Sequence, residues 1–111
     1  MNKYGAKKVE IDGITFDSLA EGRRYQDLKR LQAQDIITAL ELQPLYVLAK
    51  SVKLHGDKRK RPAIRYRADF RYITYLGETV CEDVKGLDTP VSRLKRHLMK
   101  SVHGIDVRVV R

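Results

Sequence analysis

Polar and apolar residues alternate over residues 63–75. Ile64, Tyr66, Ala68, Phe70 and Tyr72 fall on one side, and Arg65, Arg67, Asp69 and Arg71 on the other. A period of two marks a half-buried β-strand, so the pattern predicts one long strand. Leu76-Gly77 turns the chain, and residues 78–85 return as its antiparallel partner. On that second strand Val80, Glu82 and Val84 share one face, while Cys81, Asp83 and Lys85 share the other. Upstream, Val9, Ile11, Ile14 and Phe16 flank Asp12-Gly13, the signal of a small hairpin.

The period then changes. A helix is predicted from an N-cap at Asp17 or Ser18 to about Gln34, with Leu19, Leu28 and Leu31 as its buried stripe. Residues 36–42 read as a strand that Pro44 interrupts, and residues 45–52 as a second extended piece. Thr89-Pro90 pairs an N-cap with proline at the first helical position. That second helix is predicted to reach about His103, burying Val91, Leu94, Leu98 and Val102, before Gly104 ends it. Residues 105–110 close as a strand. Setting the small hairpin aside, the order is helix, three or so strands, helix, strand. It predicts an α/β fold in which helices flank a mixed sheet.

Composition narrows the class of partner. The 111 residues suit a single domain. Lys and Arg total 23 against 14 Asp and Glu, a formal net charge of +9. So basic a chain is matched to a polyanion, most simply nucleic acid. Residues 1–8 carry three lysines and no apolar stretch, which predicts a mobile basic arm and no signal peptide. No apolar run approaches the length of a membrane span. The lone Cys81 forms no disulfide within the chain and points to a reducing, cytoplasmic setting; in mid-strand it reads as a buried residue. His55, His97 and His103 lack zinc-ligand spacing. With no Gly-rich phosphate loop, a nucleotide cofactor is not expected.

Candidate chemistry centres on the paired strands. A hairpin about Leu76-Gly77 sets positions summing to about 153 opposite each other, which brings Asp69 to the region of Asp83 and Lys85. Two carboxylates so close repel unless a cation lies between them. Oxygen ligands of this type hold a hard divalent ion, and a nearby lysine can position water or offset a phosphate charge. The competing structural role for Asp69 is a surface ion pair with its arginine neighbours. Asp27-Leu28-Lys29 repeats the carboxylate-x-Lys pattern, but on a helix residues two apart diverge. Ser18 and Glu21 have capping-box spacing. Arg93, Lys95, Arg96 and Lys100 form a basic helix face, and Lys58, Arg59, Lys60 and Arg61 a basic turn; both are candidate nucleic-acid contacts.

Taken together, Glu21 on the first helix, Asp69, Asp83-Val84-Lys85 and the basic helix resemble the PD-(D/E)XK nuclease superfamily. Tyr4-Gly5-Ala6-Lys7, Phe16-Asp17-Ser18, Ala68-Asp69-Phe70 and Glu82-Asp83-Val84-Lys85-Gly86 resemble more closely a group of small phage and prophage putative endonucleases. The resemblance covers about residues 4–110 and implies a restriction-endonuclease-like core of order α-β-β-β-α-β. It implies a Mg²⁺-dependent endodeoxyribonuclease, with Mn²⁺ able to substitute. Asp69, Asp83 and the Val84 carbonyl would then bind metal, Glu21 would complete the shell through water, and Lys85 would orient the attacking water. Ala68 stands where the motif has proline. Small stand-alone members include dimeric resolvases of branched DNA such as Holliday junctions, which implies DNA and a second copy as partners. The competing expectations are a basic nucleic-acid-binding module without catalysis, and a nuclease of the same fold acting on other DNA or RNA structures.

Overall fold

A computed structural model describes residues 7–111 of the chain. The basic arm expected at residues 1–8 lies, for residues 1–6, outside the described residues. Strand β1 (Val9–Ile11) pairs with β2 (Ile14–Phe16) through Asp12-Gly13. Both turn residues have positive φ, 54° and 76°, the conformation that Asp and Gly tolerate best. Helix α1 (Leu19–Ala33) follows, with the Ser18 hydroxyl accepting the Glu21 amide at 3.1 Å.

Strands β3 (Ile37–Leu42), β6 (Phe70–Thr74), β7 (Thr79–Val84) and β8 (Asp106–Val110) form a four-stranded sheet in the order β3-β6-β7-β8. The first three are antiparallel, and β8 runs parallel to β7, so the sheet is mixed. A parallel neighbour requires a crossover. Helix α2 (Pro90–Leu98) and a π-helical turn (Met99–His103) supply it. Strands β4 (Leu45–Ala49) and β5 (Ile64–Arg67) pair as a separate two-stranded sheet. No helix among the described residues is long and apolar enough to cross a membrane.

Two apolar clusters lie on opposite faces of β7, as its alternation requires. Val80 joins Phe16, Tyr25, Leu28, Ile37, Phe70 and Tyr72 beneath α1. Cys81 joins Leu48, Tyr66, Ala68 and Met99 beneath β4, β5 and the π-helical turn. Burial raises the Cys81 thiol pKa, which fits a packing role rather than a nucleophilic one.

Three expectations need correction. The single strand over 63–75 is two strands, broken at Ala68 and Asp69. Tyr66 and Ala68 pack in one cluster and Phe70 and Tyr72 in the other, so the chain changes sheets at the break. The stripe on α1 is Gly22, Tyr25 and Leu28, and Leu19 is exposed. Gly22 is there because β1 crosses closely: an added Cβ would lie 2.8 Å from the Val9 side chain. On the second helix Val91, Leu94 and Val102 are exposed, and Met99 is the buried residue. The π-helical turn breaks the 3.6-residue period that the stripe assumed.

Candidate functional site

The break between β5 and β6 puts Asp69 at the end of the antiparallel β6–β7 pair. Phe70 pairs with Glu82, one residue from the expected register, so Asp69 lies beside Asp83. The Asp69 amide donates to the Glu82 carbonyl at 3.0 Å, and its carboxylate accepts the Val84 amide at 2.7 Å. Asp83, on the next outward position of β7, is buried and accepts a hydrogen bond from the Tyr66 hydroxyl. The Lys85 ammonium lies 3.6 Å from the same carboxylate oxygen. Backbone pairing of Lys85 with Val110 of β8 holds this strand end in place.

Asp69, Asp83, Val84 and Lys85 line one open cavity of about 560 Å³. Its other walls are Arg65 and Arg67 from β5 and Thr89, Ser92 and Lys95 from the start of α2. The structure thus brings four sequence-derived residues together on one floor. Glu21 does not line this cavity; it faces a smaller one of about 240 Å³. Its charge nevertheless reaches the floor. Burial, then the charges of Asp69 and Asp17, push the Glu21 carboxyl up to about 7. Burial also pushes Asp69 up to about 6; the Val84 amide opposes the rise, and the charge of Asp83 adds to it. The capping arrangement at Ser18 coexists with this placement, since the hydroxyl takes the Glu21 amide and leaves its carboxyl to the interior. Among the described residues, no group of three or more His, Cys, Asp or Glu side chains is positioned to hold a metal ion by itself.

The cationic candidates divide. Arg96 makes two bonds to Asp88, at 2.9 and 2.7 Å, and Arg93 lies 3.8 Å from the same carboxylate. These arginines hold Asp88 down to about 2. Lys100 is paired with Asp106 at 3.0 Å. Of the four on the basic helix, only Lys95 lines the cavity. In the basic turn Lys58, Arg59, Lys60 and Arg61 are exposed, and Arg61 bonds Asp57. None of the four lines the cavity. Arg65, Arg67, Tyr66 and Asp17 were not singled out as site residues. The strand alternation that set Arg65, Arg67 and Asp69 on one side was the available signal for the two arginines.

The raised carboxyl values set a pH dependence. A carboxyl whose folded pKa exceeds its unfolded value stabilises the fold while protonated, and that contribution is lost as pH rises through the folded value. For Asp69 (3.8 to about 6) and Glu21 (4.5 to about 7) the window runs from about 4 to about 7. The Tm advantage of a Glu21→Gln/Asp69→Asn double variant over the parent should therefore grow between pH 5 and pH 7.5. A difference that stays flat across that range would show that these carboxyls are not desolvated.

No curated protein and no solved structure matches the chain. A family model described as "Protein of unknown function (DUF1064)" matches residues 1–110, and the chain belongs to that family.

Proposed function

We propose that the chain is a divalent-metal-dependent endonuclease with a PD-(D/E)XK core, hydrolysing DNA phosphodiester bonds in phage DNA recombination or processing. The observation that carries this reading is the convergence of Asp69, Asp83 and Lys85 on the floor of a cavity walled by Arg65, Arg67 and Lys95. The donor chemistry fits Mg²⁺. This ion keeps several waters and needs only one or two carboxylates besides substrate phosphate. Asp69 and Asp83 supply oxygen ligands alone; burial is the main cause of the rise at Asp69, and a cation between the two would offset both that desolvation and the added charge of Asp83. When bound, the ion supplies Lewis-acid polarisation of the phosphoryl oxygen and stabilises the leaving oxygen.

The protein's own groups do the rest. The Val84 amide and the Tyr66 hydroxyl fix the orientations of Asp69 and Asp83. Lys85 Nζ donates to the attacking water and offsets charge on the scissile phosphate. Arg65, Arg67 and Lys95 hold flanking phosphates. Glu21 acts from behind Asp69 through charge and water. Cutting two strands needs two such sites, and a homodimer would supply them. Leu94 and Val102 are exposed outside the cavity, where a second copy would cover them.

Cleavage of a four-way junction, a flap and a plain duplex, each with Mg²⁺, Mn²⁺ or EDTA, tests the reading. Nicks or breaks are expected only with metal, and more readily on the branched substrates. Binding that is indifferent to EDTA, with every strand left intact in both metals, would instead identify a non-enzymatic DNA-binding module.

A further inference from the structure

A second cavity, of about 510 Å³, opens on the other side of the strand end that carries the acids. Val84 and Lys85 line both cavities. Their chemistry differs sharply. The first is walled mainly by arginines, two lysines and carboxylates, whereas the second is walled mainly by Ala20, Val84, Gly86 and Leu87. Lys85 and Arg111 contribute cations to the second wall, and Arg23 joins Ala20 and Arg111 around a neighbouring depression. Leu87 is 78% exposed, although it follows the most constrained part of the site. A Cβ on Gly86 would meet nothing within 4 Å, so the mouth is open beside it.

An anionic group flanked by a flat apolar one is the chemistry of a nucleotide. We propose that this apolar cavity receives an unpaired nucleobase adjacent to the phosphate held over Asp69, Asp83 and Lys85. The inference rests on the nuclease reading and narrows its substrate to DNA with an unstacked nucleotide at the cut site. The cationic residues at the cavity complement the phosphates on either side of such a base. Tyr66, Tyr72 and Tyr75 do not compete for the role. Tyr66 and Tyr72 are buried with their hydroxyls bonded to Asp83 and Glu82, and Tyr75 lies at the remote β6–β7 turn. A paired base would first have to be unstacked and unpaired, a cost of a few kcal/mol that is least where the base is already unpaired. Selection for branched, bulged or single-stranded sites follows from that difference.

Binding in EDTA tests this without cleavage. The probes are a short DNA duplex with one unpaired 2-aminopurine, the same duplex with an abasic residue at that place, and a fully paired duplex. The chain should bind the base-bearing bulge roughly five- to tenfold more tightly than the abasic one, from burial of part of the base against apolar side chains, with a change in 2-aminopurine emission. Ala20→Phe fills the cavity from an exposed helix position and should abolish the preference while leaving paired-duplex affinity within about twofold. Leu87→Asp should weaken the same preference by a different route. Equal affinity for the base-bearing and abasic probes, or a preference that survives both substitutions, would overturn the proposal. Either result leaves metal-dependent cleavage to be judged separately, so failure here is distinguishable from failure of the nuclease reading.

Discussion

Asp83→Asn should reduce Mg²⁺-dependent cleavage by roughly 10³-fold or more, because the charge removed supports several kcal/mol of transition-state stabilisation by the ion. Asparagine is the informative replacement. Asp83 is buried and accepts the Tyr66 hydroxyl. Alanine would leave that hydroxyl buried without a partner, at a cost of about 1–3 kcal/mol, and so confuse lost chemistry with lost stability. Asparagine keeps the shape and an acceptor oxygen while removing the charge. Affinity for DNA in EDTA should be preserved or slightly increased, since a negative charge leaves a cationic cavity. Single-turnover cleavage and binding of the same junction separate the two effects. Cleavage by the variant at the parent rate would show that Asp83 does not belong to the active site.

Glu82→Ala should be among the most destabilising single changes in the molecule, although Glu82 plays no part in the proposed chemistry. Its side chain is 1% exposed. It accepts two bonds from the Arg24 guanidinium, both 2.7 Å, and one from the Tyr72 hydroxyl. The Arg24 side chain keeps 26% exposure, so water recovers part of its charge; with the Tyr72 hydroxyl also losing its acceptor, the loss is about 2–4 kcal/mol. For a domain of about this size each kcal/mol moves Tm by about 4–8 °C, so a fall of at least about 8 °C is expected. The Arg24–Glu82 bond also ties α1 to β7, and so holds Glu21 relative to Asp69 and Asp83. A chemical-denaturation midpoint for Glu82→Ala close to the parent's would mean that the pair is not held in solution.

Glu82 and Asp83 are adjacent acids with opposite roles, and strand alternation in the sequence already separated them. Alternation sets Glu82 on the face of Val80 and Val84, and Asp83 on the face of Lys85. The structure has that arrangement, because a strand's side chains alternate wherever the strand lies. The Asp12-Gly13 turn and the Ser18 and Thr89 caps were legible for similar reasons. Each is determined by backbone conformation or hydrogen bonding within a few residues.

Other features were not legible. The alternation of residues 63–75 continues through Ala68 and Asp69 with no mark of the break between β5 and β6. That break depends on β4 and β3 competing for different parts of the chain. The apolar stripe of α2 has a good helical period, yet Val91 and Leu94 are exposed, and Met99 at the start of the π-helical turn is the buried residue. Arg93, Arg96 and Lys100 look available in the sequence, but Asp88 and Asp106 engage them. Arg65 and Arg67 reach the cavity only because β5 folds beside the end of β7.

The sequence by itself therefore determined most of the elements (though not the β5–β6 break or the π-helical turn), their turns and caps, and the pairing of Asp69 with the Asp83–Lys85 strand end. These follow from short-range geometry and from a hairpin whose register is set by its own turn. Tertiary structure alone decided which cations line the site, where Glu21 faces, and that an apolar cavity adjoins the acids. Those outcomes depend on which distant segments pack together, and neither hydrophobic period nor charge pattern encodes the choice among partners of similar chemistry.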